Sequence, residues 1–467
     1  MENKTCIAMV PSPALSHLIP HVEFAKQLVQ QHHDLHVIFL IPTLGSISPS
    51  TEAILNTLPP NINFIILPQV NNIQHLPQNI HPATKMKLIV KHSIPFLHDA
   101  LQSLLSRTHI VALVLCIFAT DALEVAKQLN LLSYVFFASG ATTLSMCLSL
   151  PKFDESVSSE FLDLSQTVNV PGCVTPFQVK DLPDPCLCER SSETYRSFIS
   201  ICQTLWLVDG VIVNSFTDLE AEVIRELTNG DNPCVYSVGP IIQTESSSKV
   251  NKSTCMTWLE NQSPSSVLYV SFGSGGTLSH DQFNELAFGL ELSGHKFLWV
   301  VRAPNEIAYS AYLDGQKEDP LEYLPNGFLD RTKGKGLMVP SWAPQIEVLG
   351  HGSIGGFLSH CGWSSILESV VHGVPMIAWP LFAEQRMNAA LLTNGLKVAV
   401  RPKVDESGLV KREEVAKVIK RIMELGDERL EMRERMKELS VGADAALGEH
   451  GSSKRALSSL ALKWRNC

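Results

Sequence analysis

Short, wholly apolar runs alternate with amphipathic stretches along this chain, and the alternation occurs twice. Residues 6–10 form an apolar run, 11–16 a turn of small residues, and 18–30 carry a stripe through Leu18, Val22, Ala25 and Val29 at helical spacing. Residues 37–40, 62–67, 111–116, 134–137 and 211–214 read as further strands, and 121–129 as a helix. Strands apolar on both faces and separated by helical patterns predict a parallel sheet covered on both sides.

The pattern restarts after a polar, serine-rich stretch. Residues 266–272 predict a strand, 273–277 a glycine-rich turn, 282–292 a helix and 297–301 a strand. Residues 336–339, 356–359 and 376–379 predict three more strands, each followed by a turn and a helix, with 303–321 as a surface excursion. A charged amphipathic stretch over 411–439, broken near Gly426-Asp427, precedes a last helix over 453–464. The expected architecture is α/β: two doubly wound units, facing each other across a cleft, with ligands beyond the carboxyl ends of the strands. The boundaries expected are 1–240 for the first domain, 241–253 for the linker, 254–447 for the second domain and 448–467 for a closing helix.

Composition narrows the function. The 467 residues exceed what one core usually supports, and 45% hydrophobic with 18% charged residues suits a globular protein with large buried sheets. A formal charge of -10 and no block of Lys or Arg argue against a nucleic-acid surface. The eleven cysteines are scattered without metal-knuckle spacing, so buried free thiols in a reducing, cytoplasmic setting are expected, with no metal centre. Residues 131–150 are long and uncharged, but an Ala-Ser-Gly turn in the middle suits a buried strand and helix rather than a membrane span.

Candidate chemistry gathers at predicted strand ends. His17 follows the first strand, where imidazole can accept a proton near neutrality; a helix-start histidine is the plainer alternative. Asp121 follows the strand 111–116 at the same sheet edge and could steady that imidazole, or simply cap a helix. Ser274 lies in the turn Ser271-Phe272-Gly273-Ser274-Gly275-Gly276-Thr277, whose small residues admit phosphate oxygens but match neither a P-loop nor a dinucleotide fingerprint.

Trp342 in Ser341-Trp342-Ala343-Pro344-Gln345 can stack on a planar base, and Gln345 can bond base or ribose. His360, Ser364 and Ser365 surround a helix start suited to a diphosphate, and Glu368 falls one turn later, where ribose hydroxyls are its sensible partners. Glu384 and Gln385 can take several hydroxyl protons of a hexose.

The stretch from Trp342 to Gln385 resembles the signature of the plant secondary-product glycosyltransferases, and the whole chain is similar to that family 1 of UDP-sugar-dependent enzymes. The resemblance implies a GT-B fold of two Rossmann-like domains, with the acceptor mainly in the first, the donor in the second, and a last helix returning to the first. It implies His17 as catalytic base and Asp121 as its partner. Ser274 and His360 would contact the donor phosphates, Trp342 the uracil, Gln345 and Glu368 the base or ribose, and Glu384 with Gln385 the sugar. Trp363, Ser364 and Ser365 belong to the same donor segment, where Gly-Trp-Ser-Ser replaces the usual Gly-Trp-Asn-Ser. Ser364 is shorter than asparagine, so its contact becomes water-mediated. Gln385, where histidine often marks galactose users, favours glucose.

Pro-His-Val-Glu-Phe-Ala-Lys, Phe-Gly-Ser-Gly-Gly-Thr-Leu-Ser and Leu-Pro-Lys-Phe-Asp-Glu resemble the branch of hydroquinone and monolignol glucosyltransferases. The expectation is therefore a monomeric inverting enzyme that moves glucose from UDP-glucose to a small phenolic or other aryl hydroxyl, indoxyl-like ones included. No prosthetic group, metal, nucleic acid or membrane span is expected. Glucose esters or N-glucosides on aromatic carboxylates or amines form the nearest alternative. A UDP-sugar-binding regulator that has lost catalysis is a second, and a dinucleotide oxidoreductase, lacking its glycine fingerprint, a third.

Overall fold

The structure is a computed structural model that describes residues 5–70, 80–157, 159–163, 167–229, 232–244, 251–310 and 319–467. Two compact units divide it: residues 1–179, 185–242 and 442–467 make one, and residues 180–184 and 243–441 the other. Residues 245–250 of the serine-rich linker expected over 241–253 lie outside the described residues.

The first unit is laid down as β1 (Thr5–Val10), α1 (Leu15–Gln31), β2 (His36–Ile41), α2 (Pro49–Leu55), β3 (Ile62–Ile66), α3 (Pro82–Leu105) and β4 (His109–Cys116). A 3₁₀ turn (Ile117–Ala122) leads into α4 (Leu123–Gln128), β5 (Leu132–Phe137) and α5 (Ala141–Ser156). A two-stranded pair, β6 (Thr167–Val168) and β7 (Phe177–Gln178), precedes α6 (Glu193–Thr204), β8 (Gly210–Val213), α7 (Thr217–Asn229) and β9 (Val235–Ser237). Seven parallel strands run in the order β3-β2-β1-β4-β5-β8-β9, so the winding direction reverses between β1 and β4. Both strands are buried along nearly their whole length, which is why they read as uninterrupted apolar runs.

The second unit contains α8 (Lys252–Glu260), β10 (Val267–Ser271), α9 (His280–Ser293), β11 (Lys296–Val301), α10 (Phe328–Arg331), β12 (Gly336–Pro340) and α11 (Gln345–Leu349). It continues through β13 (Ile354–Ser359), α12 (Trp363–Val371), β14 (Met376–Ala378), α13 (Gln385–Ala390), β15 (Ala399–Val400) and α14 (Arg412–Met423). Six parallel strands run β12-β11-β10-β13-β14-β15, and here the reversal falls between β10 and β13. In such sheets ligands gather where the strand order reverses.

Helix α15 (Asp427–Leu447) is separated from α14 by Glu424-Leu425-Gly426, and α16 (Ser452–Arg465) closes the chain. Leu457, Leu460, Ala461 and Trp464 of α16 belong to the core of the first unit. Trp464 meets Tyr134 edge-on at 5.4 Å, and the Arg465 guanidinium pairs with Asp34 at 2.6 Å.

The apolar stretch 131–150 is the buried strand β5 followed by the largely buried α5. No helix among the described residues is long and apolar enough to cross a membrane.

Candidate functional sites

In the first unit, β1 and β4 place their following loops side by side at the reversal point. His17 sits in the first turn of α1, its amide bonded to Ala14 O at 3.0 Å. Its ring lies edge-on to Phe118, 5.1 Å between centroids, and its Nδ1 is 3.6 Å from Cys116 Sγ. Cys116 is the last residue of β4 and fully buried, and its sulfur is 3.3 Å from Ser12 Oγ in the loop after β1. Burial pushes this thiol up, yet His17, Ser12 and the Phe118 amide outweigh it and bring the thiol below its usual range. One turn further, His21 is wholly buried and donates Nδ1–H to His17 O at 2.7 Å. Burial pushes His21 down to about 3, so it is a neutral strut under the first turn.

Asp121 falls inside the 3₁₀ turn, not at a helix N-cap; the residue preceding α4 is Ala122. Its Oδ1 faces Lys87 Nζ of α3 at 3.7 Å, and its Oδ2 is buried without a hydrogen-bond partner. The 3₁₀ turn carries Asp121 beside α3, and the strand end before it, Cys116, lies against the His17 imidazole. Nothing in the sequence pattern marked Cys116 beyond its position as the polar-capable end of an apolar run.

In the second unit, the loops after β10 and β13 flank the other reversal point. Gly273, with φ of 73°, turns the chain towards Ser274. The helix expected over 282–292 is α9, which begins at His280 and is capped by Ser279 Oγ, which accepts from Gln282 N at 3.3 Å. The N-terminus of α12 has no side-chain cap at Gly362, and the amides of Trp363, Ser364 and Ser365 begin the helix. His360 is packed between two glycines. A Cβ at Gly273 would come 2.4 Å from its Cε1, and one at Gly362 2.4 Å from its Nε2. Burial, aided by Arg302, pushes His360 down to about 4, so it serves as a neutral hydrogen-bonding ring.

Gln345 organises the neighbouring polar cluster. Its Nε2 donates to Ser365 Oγ at 2.9 Å and Glu368 Oε2 at 2.6 Å, while its Oε1 accepts from the Tyr269 hydroxyl at 3.2 Å. Burial pushes Glu368 up to about 7, only partly opposed by the Gln345 bond. Trp342 follows Ser341, whose φ is 61°, and its carbonyl accepts from Asn251 Nδ2 at 2.8 Å. Its indole Nε1 is buried with no hydrogen-bond partner. Trp363, expected among the donor contacts, is 3% exposed at the first position of α12. Ser364 occupies the second position of α12.

Glu384 immediately precedes α13 and Gln385 begins it. Gln385 Oε1 accepts from the amides of Leu381 and Phe382 at 2.9 and 3.0 Å, so its oxygen closes its own loop. A segment missed in the sequence braces this loop. Residues 180–184 pack with the second unit; Asp184 Oδ2 accepts from Ala383 N at 2.7 Å, Asp184 N donates to Ala383 O at 3.0 Å, and Asp184 pairs with Arg386. Asp181 likewise pairs with Arg401 at 2.7 Å.

Two parallel, Rossmann-like sheets, each with polar groups at its reversal point, define a GT-B glycosyltransferase. The chain belongs to the family described as UDP-glucoronosyl and UDP-glucosyl transferase, whose profile matches residues 98–424. It is 48% identical over 470 residues to hydroquinone glucosyltransferase of Rauvolfia serpentina, covering 100% of this chain and 99% of that one. UDP-glycosyltransferase 72B1 of Arabidopsis thaliana is 45% identical, with 99% and 97% covered. Among solved structures, a UDP-glucosyltransferase from Polygonum tinctorium capable of glucosylating indoxyl, in complex with 3,4-dichloroaniline, superposes with a TM-score of 0.91 at 45% identity. That match covers 99% of this chain and 98% of the other. Phytolacca americana UGT2, complexed with UDP-2fluoro-glucose and pterostilbene, gives 0.90 at 45% identity, with 99% and 100% covered.

Proposed function

We propose that this enzyme transfers glucose from UDP-glucose, with inversion, to the hydroxyl of a small phenolic or other aryl acceptor, giving a β-D-glucoside. The observation that carries the reading is the polar cluster of Gln345, Ser365 and Glu368 beside the uncapped start of α12. It offers ribose and diphosphate partners together, and the unpartnered indole N–H of Trp342 stands in the same donor segment. Relatives named for hydroquinone and indoxyl support the acceptor class.

In this mechanism the acceptor O–H bond breaks as His17 takes the proton. The oxygen forms its bond to the anomeric carbon while the carbon–oxygen bond to UDP breaks, and the electron pair leaves with the diphosphate. The α12 amides, with Ser274 and the neutral His360, meet the charge growing there. UDP is a stable anion, so the leaving group needs no strong acid.

Replacing His17 by alanine tests the assignment. Turnover of a weakly acidic phenol should fall on the order of 10²- to 10⁴-fold, and wild-type turnover would refute it. A dichloroaniline bound in the Polygonum enzyme keeps N-glucosylation as a second reading, separable by product linkage.

A further inference from the structure

The loop that opens α12 passes through a residue whose backbone is strained. Cys361 stands between His360 and Gly362 with φ of 65°, in the left-handed region that a residue with a Cβ resists. Its amide donates to Ser359 Oγ at 3.4 Å, and its carbonyl accepts from Asn388 Nδ2 at 3.0 Å. A carbonyl can only accept, so the nitrogen of the Asn388 amide, and not its oxygen, faces Cys361. Both residues are buried, Cys361 being 0% and Asn388 2% exposed. Asn388 comes from α13, one turn after Gln385, and its own main-chain amide donates to Glu384 O at 3.0 Å. One side chain thus ties the loop that carries Glu384 and Gln385 to the loop that carries His360 and the first amides of α12.

We propose that Asn388 is a positioning residue of the donor site: by holding the Cys361 carbonyl it keeps the chain in the left-handed turn that aims His360 and the α12 amides at the donor diphosphate. This rests on the reading of that loop as the diphosphate site. Strain of this kind persists only where the surroundings enforce it, and here the enforcing group is an amide 27 positions further along the chain. Without the bond, Cys361 relaxes towards negative φ, and Gly362 and the start of α12 swing with it. Trp342 and Gln345 lie on an earlier loop and are held separately, by Asn251 and Tyr269. The loss therefore falls on the diphosphate and spares the nucleoside.

The test compares full-length wild type with N388L, N388S and H360A, measuring competitive inhibition by uridine and by UDP against UDP-glucose, with hydroquinone as acceptor. Leucine keeps the branched shape of asparagine and supplies no donor. N388L should weaken UDP and raise KM for UDP-glucose by about tenfold, the worth of one hydrogen bond. Inhibition by uridine and KM for hydroquinone should be unchanged. N388S, with a hydroxyl donor on a shorter arm, should lose less. Adding C361G to N388L should recover part of the UDP affinity, because glycine takes a φ of 65° without strain.

An equal loss for uridine and UDP would mean a merely structural asparagine and overturn the proposal. So would an N388L enzyme with wild-type UDP inhibition while H360A is weakened. An H360A enzyme with unaltered UDP inhibition would instead remove the diphosphate reading, and the proposal with it. If N388L does not fold, the comparison of uridine with UDP is read from N388S, and equal losses there overturn the proposal in the same way.

Discussion

Gln345 donates to Glu368 across 2.6 Å, and the carboxyl receiving that bond is pushed up to about 7 by burial. Near neutrality Glu368 is therefore divided between its acid and its carboxylate. The ribose hydroxyls it is proposed to receive are donors, and donors favour the carboxylate.

Binding of UDP should consequently release a fraction of a proton at about pH 7, and affinity should rise as pH increases through that range. Calorimetry in buffers of different ionisation enthalpy measures the release directly. E368Q should abolish it and weaken UDP by about 1.5–3 kcal/mol, the worth of hydrogen bonds to a charged group. An unchanged proton count in E368Q would separate Glu368 from the nucleotide.

His360 has no room to move. Gly273→Ala and Gly362→Ala each place a methyl carbon 2.4 Å from its ring, and at Gly273 the φ of 73° adds backbone strain. Either change should displace the imidazole, cost about 1–3 kcal/mol of stability and weaken UDP binding. Titration with UDP alongside thermal melting checks both effects, and a variant with wild-type UDP affinity would contradict the placement.

Two buried imidazoles give the protein an acid sensitivity. His21 is pushed down to about 3 and His360 to about 4, both from 6.5. Below pH 6.5 the unfolded chain binds protons there and the folded one does not, so stability falls on acidification until the folded value is reached. Each group contributes up to about 1.4 kcal/mol per pH unit in that window. Glu368 acts oppositely, its stabilisation present below 4.5 and lost as pH rises through about 7. Urea unfolding at pH 6.5, 5.5 and 4.5 should show a net loss towards acid, reduced in H21Q; an identical slope in H21Q would exclude His21 as a source.

Asp184 holds Ala383 by both backbone groups, and Ala383 has φ of 57° immediately before Glu384. D184A should loosen the loop that presents Glu384 and Gln385. The expected signature is a KM for UDP-glucose raised about five- to tenfold, with weaker discrimination against UDP-galactose and kcat less affected. One lost charge-assisted bond accounts for a change of that size. Unaltered donor kinetics would reduce the brace to a packing contact.

The sequence was most readable where burial was most complete. β1, β4, β10 and β13 are buried along all or nearly all of their length, and their order of appearance marked the two sheets. Helix α3 was missed: Pro95 in its interior argues against a helix, and the structure absorbs it. At the sites, residues of the second unit came together because one signature carries most of them on successive loops. The contact of His17 with Cys116 was not legible, because 99 residues separate them and only parallel β1–β4 pairing brings them together. The bracing by residues 180–184 was invisible for a similar reason, since Asp184 and Ala383 lie 199 positions apart.

The docking of α16 orders events during synthesis. Leu457, Leu460 and Trp464 fill the same core as β1, β2 and β4, which leave the ribosome hundreds of residues earlier. The first unit therefore emerges with an open apolar seam and waits, half-assembled, while the whole second unit is translated. Chaperone engagement in that interval, and poor recovery of chains shortened before Trp464, follow from where one tryptophan is stored.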